Sequence, residues 1–233
     1  MKFWLWAALL VILVVPSELW AEAGQMLSQE EKISYSIGLT IGADFKLKEI
    51  ELDSKAFLTG LEDGLAGREP RLSKEEMKET MKTFGQQMKA KHEARRKREA
   101  DKNKQEGQAF LAQNKKKEGV VTLPSGLQYQ VLQAGQGQSP RASDQVTVHY
   151  RGTLIDGTEF DSSYRRGQPA SLKLNQVIKG WTEALQLMKE GAKWRLFIPP
   201  QLAYGAMGSG SKIGPEATLI FEVELVSVGG RQK

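Results

Sequence analysis

Apolar and polar positions fall into three successive patterns along the chain. The first is an unbroken apolar run of 13 residues, Phe3 to Val15, behind a single basic residue, Lys2. Pro16 breaks it, and Ala21-Glu22-Ala23 supplies small residues for cleavage. This is the layout of a secretory leader. A membrane span needs ~20 apolar residues, so the run is short for a retained anchor. Residues 1–23 are expected to be removed, leaving a mature chain that starts at Gly24 outside the cytoplasm.

The second pattern has the helical period. Ile33, Ile37, Ile41 and Phe45 recur every four residues behind Ser28-x-x-Glu31, a capping box. Gly38 and Gly42 lie on a neighbouring line, where a second helix can come close. Asp53 is placed to cap a second helix that buries Phe57, Leu58, Leu61 and Leu65 and stops at Gly67. Two helices this short make a poor core alone, and a second copy of the chain is the simplest cover. Ser73-x-x-Glu76 opens a third helix with no proline before Asn114, about 60 Å long at ~1.5 Å per residue. Met77, Met81, Phe84 and Met88 form a heptad-like seam on it, either against the chain's own domain or between two copies. From Lys89 to Gln108 no large apolar residue occurs, so this part is expected to be a solvated spacer. Opposite charges three or four apart support it as helix, and Gly107 is its weak point.

The third pattern has period two. Val146, Val148 and Tyr150 alternate with Gln145, Thr147 and His149, and Asp156-Gly157 is a tight-turn signal. Further strands are expected within 126–134, 170–174, 194–198 and 218–228, the fourth of these five stopped by Pro199-Pro200. Trp181, Ala184, Leu185 and Met188 share one side of a short helix. Many strands and one helix imply an α+β arrangement, an antiparallel sheet wrapped on that helix. The chain therefore divides into a leader (1–23), an all-α region (24–72), a long connecting helix (73–114) and a C-terminal domain (115–233).

Composition narrows the chemistry. The chain has 233 residues and no cysteine, so disulfides, thiol catalysis and the usual structural zinc sites are excluded. Two histidines, His92 and His149, cannot form a multi-histidine metal centre. The net charge of +5 is local. Lys89 to Lys104 holds eight Lys/Arg and three Asp/Glu, a surplus of five, so the remainder is balanced. A nucleic-acid surface is the rival reading of this run. The leader and the interleaved Glu93, Glu99 and Asp101 count against it. A peripheral attraction to anionic lipid or polysaccharide stays open.

VHYRGTLIDGTEFDSS (148–163), VIKGW (177–181), LAYGAMG (202–208) and ATLIFEVELVSV (217–228), in this order, resemble the FKBP-type peptidyl-prolyl cis-trans isomerases. The likeness covers roughly Gly119 to Val228. The leader, two short helices, long charged helix and terminal domain are similar to the macrophage infectivity potentiator-like secreted branch. That resemblance implies a half-barrel sheet with a hydrophobic pocket between sheet and helix, and a homodimer joined at the N-terminal helices. It implies catalysis without a cofactor on proline-containing unfolded or exported proteins. It places Tyr150, Phe160, Val177, Ile178, Trp181, Tyr204, Ile213 and Phe221 around the pocket. Trp181 would be its floor, Phe160 and Phe221 its walls. The Ile178 N–H and the Tyr204 hydroxyl would hold substrate carbonyls. Asp161, with Tyr150 and Arg166 beside it, would face the reacting carbonyl. Ala170 and Leu172 stand where small members carry aromatics, so the rim is thinner and macrolide affinity is open. The alternative from another class is a non-catalytic holdase or host-interaction protein whose pocket only binds.

Overall fold

The computed structural model describes residues 28–229. The leader and its cleavage site fall outside the described residues. Helix α1 (Gln29–Leu47) opens with the capping box in place: Glu31 N–H donates to Ser28 Oγ at 3.2 Å, and Ser28 N–H to Glu31 Oε2 at 2.6 Å. Helix α2 (Ser54–Leu65) is capped by Asp53, which accepts from Ala56 N–H at 2.9 Å. Phe45 and Phe57 meet edge to face at 5.8 Å, tying the two helices. Ile33, Ile37, Leu58 and Leu61 nevertheless remain about half exposed (50%, 56%, 55% and 49%), so this chain does not cover its own apolar faces. No helix among the described residues is long and apolar enough to cross a membrane.

Helix α3 (Lys74–Asn114) runs 41 residues from the Ser73–Glu76 capping box. The chain divides into two compact units, one up to Glu76 and one from Met77 onward. Most of α3 therefore belongs with the C-terminal domain.

That domain is a seven-stranded antiparallel sheet: β1 (Val120–Thr122), β2 (Gln128–Gln133), β3 (Gln145–Leu154), β4 (Glu159–Ser162), β5 (Ala170–Lys173), β6 (Lys193–Ile198) and β7 (Leu219–Gly229). The order is β1-β2-β6-β7-β3-β4, and β5 also pairs with β3. One edge of β3 is thus shared. Its first half takes β5, and its second half takes β4. Helix α4 (Lys179–Leu187) lies against the sheet, its Trp181, Ala184 and Leu185 buried. Alternation sends Val146, Val148 and Tyr150 of β3, Trp194, Leu196 and Ile198 of β6, and Leu219, Phe221, Val223 and Leu225 of β7 into the core beneath it. Burying a side chain of this size is worth ~1.5–3 kcal/mol, so this layer dominates the fold.

The expectation of a helix solvated all round is corrected from Arg96 onward. Arg96, Ala100, Asn103, Gly107, Phe110 and Asn114 recur at spacings of four and three, and all are wholly or partly buried. Gly107 is a contact point and not a weak one: a Cβ there would collide with Thr218 Oγ1. Phe110 packs on Phe197 at 5.9 Å. Asn114 Nδ2 donates to Gln128 Oε1 at 3.0 Å, and Gln128 Nε2 to the Leu111 carbonyl at 2.9 Å.

Candidate active site

Between α4 and the concave side of the sheet lies a cavity of about 580 Å³, within the usual range for ligand sites. Tyr150, Phe160, Asp161, Val177, Ile178, Trp181, Tyr204, Ile213 and Phe221 all line it. These nine are positions the sequence singled out. Leu172, Gln176 and Ser209 to Lys212 complete the rim. Gln176 was missed, since a lone polar residue in a short 3-10 turn gives no periodic signal.

Local chain geometry brings the rings together. β3 turns at Asp156-Gly157, with Gly157 at φ 88° and Thr158 N–H bonded to Asp156 Oδ1 at 2.8 Å. The returning β4 then places Phe160 and Asp161 beside β3. Gly152, on the inward face of β3, is what admits the wall rings: a Cβ there would lie 2.6 Å from Phe160 and 2.7 Å from Phe221. Those two rings meet edge to face at 5.4 Å. Trp181 enters from the first turn of α4, edge to face with Tyr150 at 5.1 Å and with Phe221 at 5.2 Å. Such edge-to-face pairs add ~0.5–1.5 kcal/mol each beyond area burial, so the ring cluster is a rigid floor.

One side of this apolar cup carries a closed polar triangle. The Tyr150 hydroxyl donates to Asp161 Oδ2 at 2.5 Å and accepts from Arg166 Nη2 at 2.7 Å. Arg166 Nη1 donates to Asp161 Oδ1, which also accepts from Ser162 N–H at 2.8 Å. Arg166 stands outside the cavity lining and acts on it through these bonds, with its guanidinium 5.3 Å from the centre of the Tyr150 ring. Burial pushes the Asp161 carboxyl up, but the Tyr150 hydroxyl, the Arg166 bond and charge and the Ser162 N–H outweigh it. The net pKa is below the usual carboxylate value. Burial first, then the bond to Asp161, raise the Tyr150 hydroxyl. Burial first, then the Asp161 charge, raise the Tyr204 hydroxyl. At neutral pH Asp161 is an anion held by three donors, and both phenols are neutral. A carboxylate so restrained is a fixed charge, poorly suited to proton transfer. The Tyr204 hydroxyl bonds to no described residue and remains available to a ligand.

The family description "FKBP-type peptidyl-prolyl cis-trans isomerase" matches residues 136–226, and "Domain amino terminal to FKBP-type peptidyl-prolyl isomerase" matches residues 30–131. The chain is 49% identical over 206 residues to the peptidyl-prolyl cis-trans isomerase Mip of Coxiella burnetii, covering 88% of this chain and 90% of that one. The chain belongs to the FKBP-type peptidyl-prolyl cis-trans isomerases. This FKBP-type chain is also 46% identical over 207 residues to the outer membrane protein MIP of Legionella longbeachae, covering 89% of each. Among solved structures it is similar to FkpA from Escherichia coli, with a TM-score of 0.70 and 40% identity over 88% of this chain and 98% of that one. The FKBP-type assignment makes the protein a rotamase, an enzyme that interconverts the cis and trans forms of X-Pro bonds. The α+β half-barrel with a helical N-terminal region is the architecture expected from the sequence.

Proposed function

We propose that this protein isomerises X-Pro bonds of exported proteins by holding the bond twisted in the aromatic cup. A peptide bond resists rotation by ~18–20 kcal/mol because of C–N resonance. X-Pro bonds populate both isomers and exchange slowly enough to delay folding. A catalyst need only bind the twisted form better than either planar one. Trp181 supports the proline ring, Phe160 and Phe221 flank it, and Val177 and Ile213 close the sides. The Ile178 N–H, at the start of α4, and the Tyr204 hydroxyl hold carbonyls on either side of the bond. Asp161, fixed by Tyr150 and Arg166, supplies a preoriented field at the imide carbonyl.

The observation that carries this reading is the closed Tyr150–Asp161–Arg166 triangle set against an apolar ring cluster. The site residues need no cofactor for this chemistry. The exposed apolar faces of α1 and α2 support a homodimer joined through them. The leader pattern and the likeness to the Legionella outer membrane protein MIP support work in the periplasm or at the outer membrane. Macrolide rings that mimic a twisted imide fit the same cup, less tightly where Ala170 and Leu172 thin the rim.

The test is a proline-isomerisation assay on a short peptide with an apolar residue before proline. Asp161→Leu is expected to lower kcat/KM at least about tenfold, ~1.4 kcal/mol of barrier. Tyr204→Phe removes the hydroxyl with little change in packing and lowers it as well. If both variants are folded by circular dichroism and keep the wild-type rate, the site assignment is wrong.

A further inference from the structure

The stretch from Tyr204 to Thr218 forms one side of the pocket, yet it has little structure of its own. It contains one three-residue 3-10 turn, Gly205–Met207, and a single bridge between Ser209 and Ile213. Four of its residues have positive φ: Gly205 (55°), Gly208 (66°), Gly210 (58°) and Glu216 (55°). Its inner side carries Tyr204 and Ser209 to Ile213 into the cavity lining. Its outer side is bonded to α3. Arg96 Nη2 donates to the Ala206 carbonyl at 3.1 Å and the Met207 carbonyl at 3.4 Å. Asn103 Nδ2 donates to the Pro215 carbonyl at 2.8 Å.

Two glycines, one from each partner, let the backbones approach. A Cβ on Gly214 of the loop would collide with Glu99 Oε1 and lie 3.0 Å from Asn103 Nδ2. A Cβ on Gly107 of the helix would collide with Thr218 Oγ1 and lie 3.2 Å from its Cβ. A glycine inside an exposed helix is unfavourable by ~1 kcal/mol relative to alanine, a cost that this close approach accounts for.

From this we infer that α3 is a strut of the isomerase site, and that Arg96, Asn103 and Gly107 are positioning residues for the loop that carries Tyr204 and Ile213. Each ordered loop residue gives up ~1–2 kcal/mol of conformational freedom, and the internal bonds of this loop are few. The helix supplies the missing restraint. Its polar line, Arg96, Asn103 and Asn114, serves carbonyl and amide groups of the domain where an apolar line would leave them unpaired. The consequence is specific to the substrate: loosening the strut leaves the Asp161 triangle intact and blurs the wall that grips the chain beside proline. Loops over a site set its preferences, so the effect falls on binding more than on turnover.

The inference rests on the isomerase pocket described above, and its test is separable from that reading. In the full chain, Arg96→Met with Asn103→Leu removes three hydrogen bonds to the loop and is expected to raise KM for a Leu-Pro tetrapeptide about three- to tenfold, with kcat within about twofold. Amide hydrogen exchange is expected to speed up across residues 205–216 while β6 and β7 stay protected. Lys97→Met, on the solvent side of α3 and bonded only to Asp101, is the control and keeps wild-type values. Each single substitution, measured separately, shifts both readouts in the same direction if the pair folds poorly. Wild-type KM and wild-type loop exchange in the variants would overturn the strut, and so would faster exchange throughout β6 and β7, which marks a general loss of stability. The exchange measurement needs no turnover, so a failure of the strut and a failure of the isomerase reading give different results.

Discussion

Tyr150→Phe separates the field of the site from its shape. The ring stays, and with it the edge-to-face contact to Trp181 at 5.1 Å. What goes is one oxygen that donates to Asp161 at 2.5 Å and accepts from Arg166 at 2.7 Å. A hydrogen bond to a charged group is worth ~1.5–3 kcal/mol net. The side chains of Asp161 and Arg166 are 40% and 45% exposed, so solvent screens them and the low end applies, reduced to ~1 kcal/mol. Arg166 still holds Oδ1, so Asp161 turns only part-way. If the whole of that energy appears in the transition state, kcat/KM falls about fivefold. The pH profile is the sharper readout. After the upward push of burial, the Tyr150 bond is the largest influence holding the Asp161 pKa down. A depressed carboxylate contributes stability that is present above its unfolded value of ~3.9 and lost as pH falls through the folded value. Removing the hydroxyl raises the folded value, so the acid limb of both activity and stability moves to higher pH. Peptide isomerisation followed from pH 3 to 8, alongside melting, measures both. A folded Tyr150→Phe protein with the wild-type rate and an unmoved acid limb would refute the role given to the triangle.

Gly152→Ala is expected to lower stability by ~1–3 kcal/mol, because the added methyl must displace Phe160 or Phe221; thermal melting and peptide KM should worsen together. Ile33→Lys with Ile37→Lys should convert the sedimenting species from dimer to monomer, with the short-peptide rate unchanged and long unfolded clients turned over less well as tethered pockets are separated. N-terminal sequencing of exported protein should begin at Gly24, and a start at Met1 would remove the leader from the account.

The period-two stretches were legible because burial on one face of a strand leaves a direct trace: Val146, Val148 and Tyr150 point inward as the alternation requires. Phe160, Trp181 and Phe221 are not distinguishable from core by pattern alone, and their order along the chain is what located them. Arg166 belongs to the site through bonds across a turn, which no periodicity encodes. The docked line of α3 was missed for a physical reason. Its seam is built from Arg96, Ala100, Asn103 and Gly107, small or polar residues that suit a contact with backbone carbonyls. A search for large apolar residues at helical spacing passes over them. Upstream the apolar signal returns at Met77, Phe84 and Met88, which are partly buried at steps of seven and four, while Met81 between them is 63% exposed.

The shifts at the pocket have one direction in common. Asp161 is moved below its ordinary value, while Tyr150, Tyr204 and Arg166 are moved above theirs. Every one of these four groups is carried away from neutrality. His149 stands on the other face of β3, away from the pocket, stacked on Tyr164 at 4.7 Å. These four groups therefore keep one charge state over several units of acidity. A compartment beyond the inner membrane has no cytoplasmic buffer and follows its surroundings. An enzyme working there gains an electrostatic landscape that the weather outside does not redraw.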